Sequence, residues 1–351
     1  NNFINIESFN GMYDFNENNT AVLDLKTREI VNNKQNATNT DSVDLTNITG
    51  TIINDGTWNN KVRLVLNNGL ITNNNIFNNE DSITISATGT FFNKHTITNE
   101  KTITNNGNLV NYSGKTITNN KTLINNNVLD NAGIINNSHT NGVINNNSVL
   151  NNKSSGTINN FGISNIETNG TLSNRGTFNN SQTSETNLGN LNIVGLFSNH
   201  DSGTIVNTAY IENKTNGTFT NLGTLDNRLT VVNNSTFTNP GTIDNKLKVI
   251  NNSTFTNTGN LLNKPNGIVI NNLTINNNTG GTIDNDGTFS NANLGTLNNY
   301  ATFKNDSVLT SSGIIKVFKS GTITNFEQID IKKILKNYGT ITNHKLFNSF
   351  D

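Results

Sequence analysis

The sequence predicts an all-β protein, a three-sided parallel β-solenoid of about 16 coils. Two adjacent segments are nearly identical: residues 224–241 read TLDNRLTVVNNSTFTNPG, and residues 242–259 read TIDNKLKVINNSTFTNTG. Each segment contains three copies of a shorter motif, Gly-Thr-Φ-x-Asn-x, in which Φ is apolar. A repeat of about 18 residues that holds three motifs indicates a coil with three sides, since each motif supplies one side and one corner.

The spacing of the apolar residues predicts that each side is a short β-strand. From Ile205 to Phe347 the apolar position recurs after six or eight residues. An even step returns a side chain to the same face of a strand, whereas a helix would rotate it away from the core. Coils stacked at about 4.8 Å would make a rod of about 75 Å. Six-residue steps suit left-handed solenoids, but eight-residue steps and Asn ladders suit right-handed ones, which leaves the handedness open with right-handed preferred.

Residues one coil apart are expected to lie directly above one another. The apolar positions on one side should therefore form a continuous interior column, which supplies the main driving force for folding at about 1.5–3 kcal/mol per buried side chain. One such predicted column comprises Leu225, Ile243, Leu261, Ile283, Phe303, Ile323 and Ile341.

The Asn that follows each apolar position by two residues is predicted to form Asn ladders along the corners. Its side-chain amide can donate to one neighbouring Asn and accept from the other. We also expect these Asn residues, and the Gly residues that close most motifs, to supply the left-handed backbone conformation of a corner. The most regular ladders comprise Asn227, Asn245 and Asn263; Asn233, Asn251 and Asn271; and Asn239, Asn257 and Asn277.

The chain is expected to divide into a cap and a solenoid. Residues 1–45 lie outside the repeat and are predicted to form an N-terminal cap or docking segment with a β-hairpin around residues 17–19. Residues 46–351 should form the solenoid, with an irregular excursion near residues 180–190, where the motif weakens. Because the C-terminal end has no comparable cap, we expect its last coil to stack on a neighbour or to continue in a longer protein.

The composition excludes several function classes. The chain has a net charge of −1, 13% charged residues and no cysteine. Disulfides and thiolate metal sites are therefore absent, and the sparse, scattered charges provide no basic patch for nucleic acid or a membrane surface. No apolar stretch is long enough to span a bilayer. Asn-rich chains of low hydrophobicity are often disordered, but the strict periodicity argues against disorder.

Few residues have the spacing of a catalytic or metal site. Asp226 and Asp244 occupy equivalent positions of adjacent coils, as paired glycosidase carboxylates would. Arg228 and Lys246 follow them by two residues, which favours a charge-balanced surface. The four histidines lie far apart in the sequence, so no metal site is expected. We predict that the protein is not an enzyme and binds no cofactor.

Three outward positions are predicted to form an apolar stripe. Val232, Ile250 and Ile270 directly follow three inward Val residues and should stack one coil apart. A contiguous apolar stripe on a polar surface is typical of a contact with another chain or a covering segment. These residues are the candidate interface.

Outward Thr-x-Thr units, such as Thr236-Phe237-Thr238, are similar to the Thr arrays of ice-binding solenoids. Other units, including Thr96-Ile97-Thr98 and Thr102-Ile103-Thr104, are predicted to lie on different sides. The high β-propensity of Thr also explains its frequency.

The motif Φ-x-Asn-x-Gly-Thr-Φ, repeated over most of residues 50–351, resembles the Asn- and Gly-rich β-solenoid repeats of large bacterial and archaeal surface adhesins, including the filamentous-haemagglutinin type. The resemblance implies an extracellular, non-enzymatic structural protein, either an adhesin shaft or a filament subunit that self-associates head to tail or laterally. Its partners would be further copies and a host-surface or glycan ligand. The alternatives are a carbohydrate-binding or carbohydrate-processing β-helix and an ice-binding protein.

Overall fold

The structure, a computed structural model, describes residues 4–5, 30–33, 37–39, 45–138, 141–181 and 189–349, with side chains from residue 48 onward. The chain separates into two compact units. Unit 1 contains the described residues up to Gly176, and unit 2 contains those from Thr177 onward. All regular structure in the described residues is β-strand, and no helix is present among them.

Unit 1 consists of strands that are mostly four residues long. Its strands are β1 (Ile4–Asn5), β2 (Ile30–Asn33), β3 (Ala37–Asn39), β4 (Leu45–Ile48), β5 (Thr51–Asn54), β6 (Trp58–Asn60), β7 (Leu64–Leu66), β8 (Leu70–Asn73), β9 (Ile76–Asn79), β10 (Ser82–Ile85), β11 (Thr90–Asn93), β12 (Thr96–Asn99), β13 (Thr102–Asn105), β14 (Asn108–Asn111), β15 (Thr116–Asn119), β16 (Thr122–Asn125), β17 (Val128–Asn131), β18 (Ile134–Asn137), β19 (Val143–Asn146), β20 (Val149–Asn152), β21 (Thr157–Asn160), β22 (Ile163–Ile166) and β23 (Thr171–Asn174).

Unit 2 repeats the same pattern. Its strands are β24 (Thr177–Ser181), β25 (Asn190–Ile193), β26 (Leu196–Asn199), β27 (Thr204–Thr208), β28 (Tyr210–Asn213), β29 (Thr218–Asn221), β30 (Thr224–Asn227), β31 (Thr230–Asn233), β32 (Thr236–Asn239), β33 (Thr242–Asn245), β34 (Lys248–Asn251), β35 (Thr254–Asn257), β36 (Asn260–Asn263), β37 (Ile268–Asn271), β38 (Thr274–Asn277), β39 (Thr282–Asn285), β40 (Thr288–Asn291), β41 (Thr296–Asn299), β42 (Thr302–Asn305), β43 (Val308–Ser311), β44 (Ile314–Val317), β45 (Thr322–Asn325), β46 (Gln328–Ile331), β47 (Ile334–Asn337), β48 (Thr340–Asn343) and β49 (Leu346–Ser349).

Each unit is a three-sided parallel β-solenoid, as predicted. Within a unit, a strand from β2 onward pairs in parallel with the third strand after it, so successive strands belong to three different sheets. With three strands per coil, β1–β23 form between seven and eight coils and β24–β49 between eight and nine, close to the predicted number of about 16. In unit 2 we call the three sheets side 1 (β26, β29 and every third strand to β47), side 2 (β24 to β48) and side 3 (β25 to β49).

The second residue of most strands points inward and forms the core. On side 2, the predicted column is in register from Leu225 to Ile341, and all of its members except Ile341 are buried. On side 1, four Phe side chains pack in a row, with successive ring centroids 5.3, 4.4 and 5.0 Å apart. These are Phe197, Phe219, Phe237 and Phe255. Aromatic contacts of this kind add to the free energy gained by burial.

Part of the predicted organisation lies outside the described residues. The hairpin around residues 17–19 and most of the excursion near residues 180–190 are in this category. Within the predicted cap, Ile30–Asn33 pairs in parallel with Thr51–Asn54, and Ala37–Asn39 pairs with Trp58–Asn60. The role of residues 1–45 as a cap or docking segment stays a prediction.

The prediction that the corner residues adopt a left-handed backbone conformation is wrong. Among the described residues, only Asn216, Gly114 and Gly280 have a positive φ. Gly241 shows why Gly is needed instead: a Cβ at this position would overlap the carbonyl oxygen of Gly223, one coil earlier. The backbone of adjacent coils therefore approaches too closely at these corners for any side chain, and lack of a Cβ matters more than freedom of φ.

We predict that Asn is tolerated at Gly280 and not at Gly241. Gly280 has φ +89°, and a Cβ at this position would lie 3.4 Å from the nearest atom, while Asn216 already adopts φ 71° at an equivalent corner. Gly280→Asn should change the free energy of unfolding by less than about 1 kcal/mol, whereas Gly241→Asn should cost about 1–3 kcal/mol through overpacking. Chemical denaturation measures both. Equal losses in the two variants would contradict the steric explanation.

Candidate functional site

The Asn ladders are the most regular polar feature of the described residues. Asn245 is fully buried and its side-chain amide has three partners. Its Nδ2 donates to Oδ1 of Asn263 at 2.7 Å and to the carbonyl oxygen of Ile268 at 3.2 Å, and its Oδ1 accepts from Nδ2 of Asn227 at 2.8 Å. Both N–H groups and the carbonyl are thus satisfied, which is the condition for burying an amide without a large penalty.

All nine predicted ladder residues occupy such positions. In unit 2 the ladders comprise Asn180, Asn207, Asn227, Asn245, Asn263, Asn285, Asn305, Asn325 and Asn343 on side 2; Asn199, Asn221, Asn239, Asn257, Asn277 and Asn299 on side 1; and Asn213, Asn233, Asn251, Asn271 and Asn291 on side 3. In unit 1 they run from Asn54 to Asn174, from Asn60 to Asn160 and from Asn105 to Asn146.

The inner ladders have a direction. In each Asn–Asn bond of these ladders, Nδ2 of the earlier residue donates to Oδ1 of the residue one coil later, as in the bond from Asn227 to Asn245. Outer Asn rows run the opposite way, because Nδ2 of Asn252 donates back to Asn234. A coil that is added in the C-terminal direction therefore matches the inner ladder when it presents acceptor oxygens in register.

Two ladders begin with an unsatisfied atom. Oδ1 of Asn105 and Oδ1 of Asn213 are buried without a hydrogen-bond partner. Their register partners one coil earlier are Ile85 and Ile193, which have no donor to offer. The ladder pattern accounts for both orphaned oxygens.

The structure stacks the three residues of the candidate interface. Val232 is the register partner of Ile250, and Ile250 is the partner of Ile270, all on the outer face of side 3. Val232 is only 7% exposed, and the other two are half-buried. The role of the stripe as an interface stays a prediction.

Neighbouring residues widen this apolar stripe and mark its ends. Leu247, in the corner before β34, and Ile268, the first residue of β37, are both exposed. Along the stripe, Glu212 is the partner of Val232 at one end, and Ser290 is the partner of Ile270 at the other. The apolar surface thus covers three coils and is bounded by polar residues.

The paired carboxylates of side 2 are neutralised by cations. Asp226 and Asp244 are register partners. Asp226 accepts from Arg228 Nη2 at 2.6 Å and from Lys246 Nζ at 2.7 Å, and Lys246 also lies 3.0 Å from Asp244. Burial raises the pKa of Asp226, but the hydrogen bonds from Arg228 and Lys246 outweigh it and lower the pKa overall. A carboxylate held in its ionised form by two cations is a poor general acid.

A second acidic cluster was not evident in the sequence. Asp284, Asp286 and Asp306 have carboxylate oxygens within 4.8 Å of one another. Lys304 lies 3.5 Å from Asp284 and also pairs with Asp306. The hydrogen bond to Asp306 raises the pKa of Lys304, whose ammonium group offsets part of the negative charge of this cluster.

Thr-x-Thr units stack in register on side 1. Three strands that are neighbours in this sheet, β29, β32 and β35, begin with the outward residues Thr218, Thr236 and Thr254. A second Thr lies two residues after each. The next strand keeps Thr274 at the first position but has Asn276 at the second. Units elsewhere lie on other sides, since Thr322-Ile323-Thr324 belongs to side 2.

The charges are less scattered than the sequence suggested. Lys316 and Lys336 are register partners on the outer face of side 1, and Lys319, Lys332 and Lys333 lie in the adjoining corners. We call these five residues the lysine face. It is hard to recognise in the sequence because its lysines form two groups separated by the rest of a coil. Comparing positions about 20 residues apart would have paired them.

In the described part of the chain, the imidazoles of two histidines contact a hydroxyl and an aromatic ring. The imidazole of His95 lies beside Thr96 Oγ1, and that of His344 stacks on Phe326. The described residues include no helix with the length and apolar character of a transmembrane segment. Comparison of the chain with known protein families, with curated proteins and with solved structures gives no match.

We predict that truncating one ladder residue destabilises the coil stack far more than truncating an outer Asn. Asn245→Ala would leave an N–H of Asn227 and Oδ1 of Asn263 without these partners and would remove one donor from the carbonyl of Ile268, at a cost of about 2–5 kcal/mol. Asn252→Ala, which removes an exposed Asn of the outer row, should cost less than about 0.5 kcal/mol. Chemical denaturation followed by circular dichroism measures both. Similar losses of unfolding free energy in the two variants would show that the inner ladder stabilises the stack no more than the outer row.

Proposed function

We propose that this chain is a non-enzymatic structural protein of the cell exterior, which forms the shaft of a surface adhesin or a subunit of a surface filament. Filament growth would occur by head-to-tail stacking of coils. The extracellular location rests on the resemblance of the repeats to those of surface adhesins.

The observation that carries this proposal is the contrast between inner and outer positions. In unit 2, the inner ladder of side 2 continues from Asn180 to Asn343, and the apolar column beside it is equally regular. In each strand one outward residue lies between the apolar residue and the ladder Asn. Along the same side the chemistry of this residue varies widely, from Val206 to Asp226 to Lys304. A chain that preserves stacking while its surface varies is suited to a mechanical or display role, since function in such a protein depends on the continuity of its coils.

The direction of the ladders supports head-to-tail assembly. Because the inner Asn residues donate toward the C-terminal side, a coil stacked in that direction would offer acceptors in the same register. Another coil of this type does so in one orientation only. Contacts between unlike ends that repeat along one axis do not close into a ring, and therefore generate filaments.

The apolar stripe supports lateral contacts between such solenoids. Val232, Ile250 and Ile270 form a row that lies along the direction of stacking. Two copies that lie side by side could each cover the row of the other and remove apolar area from water.

Electron microscopy of the purified chain tests the proposed function. Regular fibres that lengthen with protein concentration would support the filament subunit. Single narrow particles of constant length would reject filament growth and support the shaft. Compact globular particles would contradict both roles.

For the stripe, Ile250→Lys should abolish lateral bundling of the particles because it places a charge in the centre of the apolar row. Ser290→Lys is the matched control, since it adds the same charge at the outward position of the same side. Sedimentation velocity measures the association of each variant. Bundling that persists in Ile250→Lys would rule out the stripe as an interface.

A further inference from the structure

The lysine face is a concentration of uncompensated positive charge. Of its five members, Lys319, Lys332, Lys333 and Lys336 are exposed and Lys316 is half-buried. Neither residues 313–321 nor residues 331–339 contain an acidic residue. Among the described residues, no carboxylate forms an ion pair with any of the five. This local excess contrasts with a net charge of −1 for the whole chain.

Other stacked charges in unit 2 have oppositely charged partners. Arg228 and Lys246 both pair with Asp226, and Lys345 pairs with Glu327 at 2.5 Å. On the lysine face, by contrast, Lys316 and Lys336 are direct register partners, and like charges opposite each other destabilise a sheet. Lys333 Nζ donates to the carbonyl oxygen and to Oδ1 of Asn293 at 3.2 and 3.1 Å, but these partners are uncharged. The positive charge of the lysine face therefore has no compensating carboxylate, which points to a negatively charged partner from outside the chain.

An aromatic row borders the lysine face. Phe318 and Tyr338 directly follow β44 and β47, and Tyr300 has the same position after β41. Tyr300 and Phe318 stack, with ring centroids 3.9 Å apart, so each covers a face of the other. Tyr338 is 67% exposed. Its ring can therefore pack against the apolar face of a sugar ring while its hydroxyl stays in water.

We propose that the lysine face, together with Tyr338, binds a linear anionic polysaccharide whose sugars carry carboxylate or sulfate groups. This binding site goes beyond the structural role proposed above and would act in a shaft and in a filament alike. Lysines one coil apart lie about 4.8 Å from one another along the direction of stacking. A stacked pair of lysines with further lysines in the corners on either side suits an extended chain of charged rings.

The residues favour a polysaccharide over nucleic acid and over a membrane surface. Proteins that bind single-stranded nucleic acid usually offer several aromatic platforms for successive bases, whereas here Tyr300 and Phe318 stack on each other. Membrane-surface binding needs a broad apolar area, but the outward Ile314 and Ile334 of the same strands are half-buried between lysines.

The test measures the affinity of the purified chain for heparin, polygalacturonate and neutral dextran by isothermal titration calorimetry. We expect binding to heparin or polygalacturonate, none to dextran, and a steep fall in affinity with salt because bound counterions are released. The double variant Lys316→Glu/Lys336→Glu should lose about tenfold or more in affinity. Lys121→Glu/Lys248→Glu, with the same change in net charge at two positions away from the face, should bind like the unaltered chain. Thermal melting confirms that each variant is folded.

A second variant tests the aromatic contact. Tyr338→Ala should weaken binding of heparin several-fold but leave binding of polyphosphate, which has no rings, unchanged. Equal weakening for both probes would remove Tyr338 from the site.

Three outcomes would overturn the proposal. The first is no binding of either acidic polysaccharide, and the second is equal loss of affinity in the two double variants. The third is tighter binding of single-stranded DNA or of phosphatidylserine vesicles than of both polysaccharides at the same salt concentration, which would assign the face to nucleic acid or to a membrane.

Discussion

The hydrogen bond between side-chain amides of stacked Asn residues is the interaction on which the rest of the structure depends. A buried amide is costly unless each of its polar atoms has a partner. In the ladder this condition is met when a polar side chain lies in register above and another below, as Asn227 and Asn263 do around Asn245. The amide bonds therefore fix the register of adjacent coils, and that register places the apolar columns, the corner Gly residues and the outer rows.

The repeat made much of this predictable from sequence. Once residues 224–241 were aligned with residues 242–259, the interior column and the nine ladder residues followed, because an even step on a strand leaves little freedom in which face a residue occupies. The corner conformation did not follow. Gly241 is required by the approach of Gly223 from the coil below, and a distance between coils cannot be read from a local motif. The residue type suggested that the corner needs a positive φ, whereas the contact between adjacent coils requires a residue without a Cβ.

Surface features were predicted less well, for a related reason. The apolar stripe at Val232, Ile250 and Ile270 was visible because those coils are of nearly equal length. The lysine face was not, because its lysines form two groups that the rest of a coil separates in the sequence, and they come together only when the coils stack. Corner insertions shift the sequence spacing between neighbours without changing their register. A varied surface on a constant scaffold is consistent with a protein whose outer positions, rather than its core, determine what it binds.

The central claim is that the inner amides are locked in coil-to-coil hydrogen bonds, and hydrogen exchange of Asn side-chain amide protons measured by NMR tests it most directly. If the ladder sets the register, the Nδ2 protons of Asn227 and Asn245 will exchange as slowly as the backbone amides of their strands, because both report the same opening of the stack. The exposed Nδ2 protons of Asn252 will exchange rapidly. Fast exchange at Asn227 and Asn245, alongside slow exchange of the backbone around them, would contradict the claim.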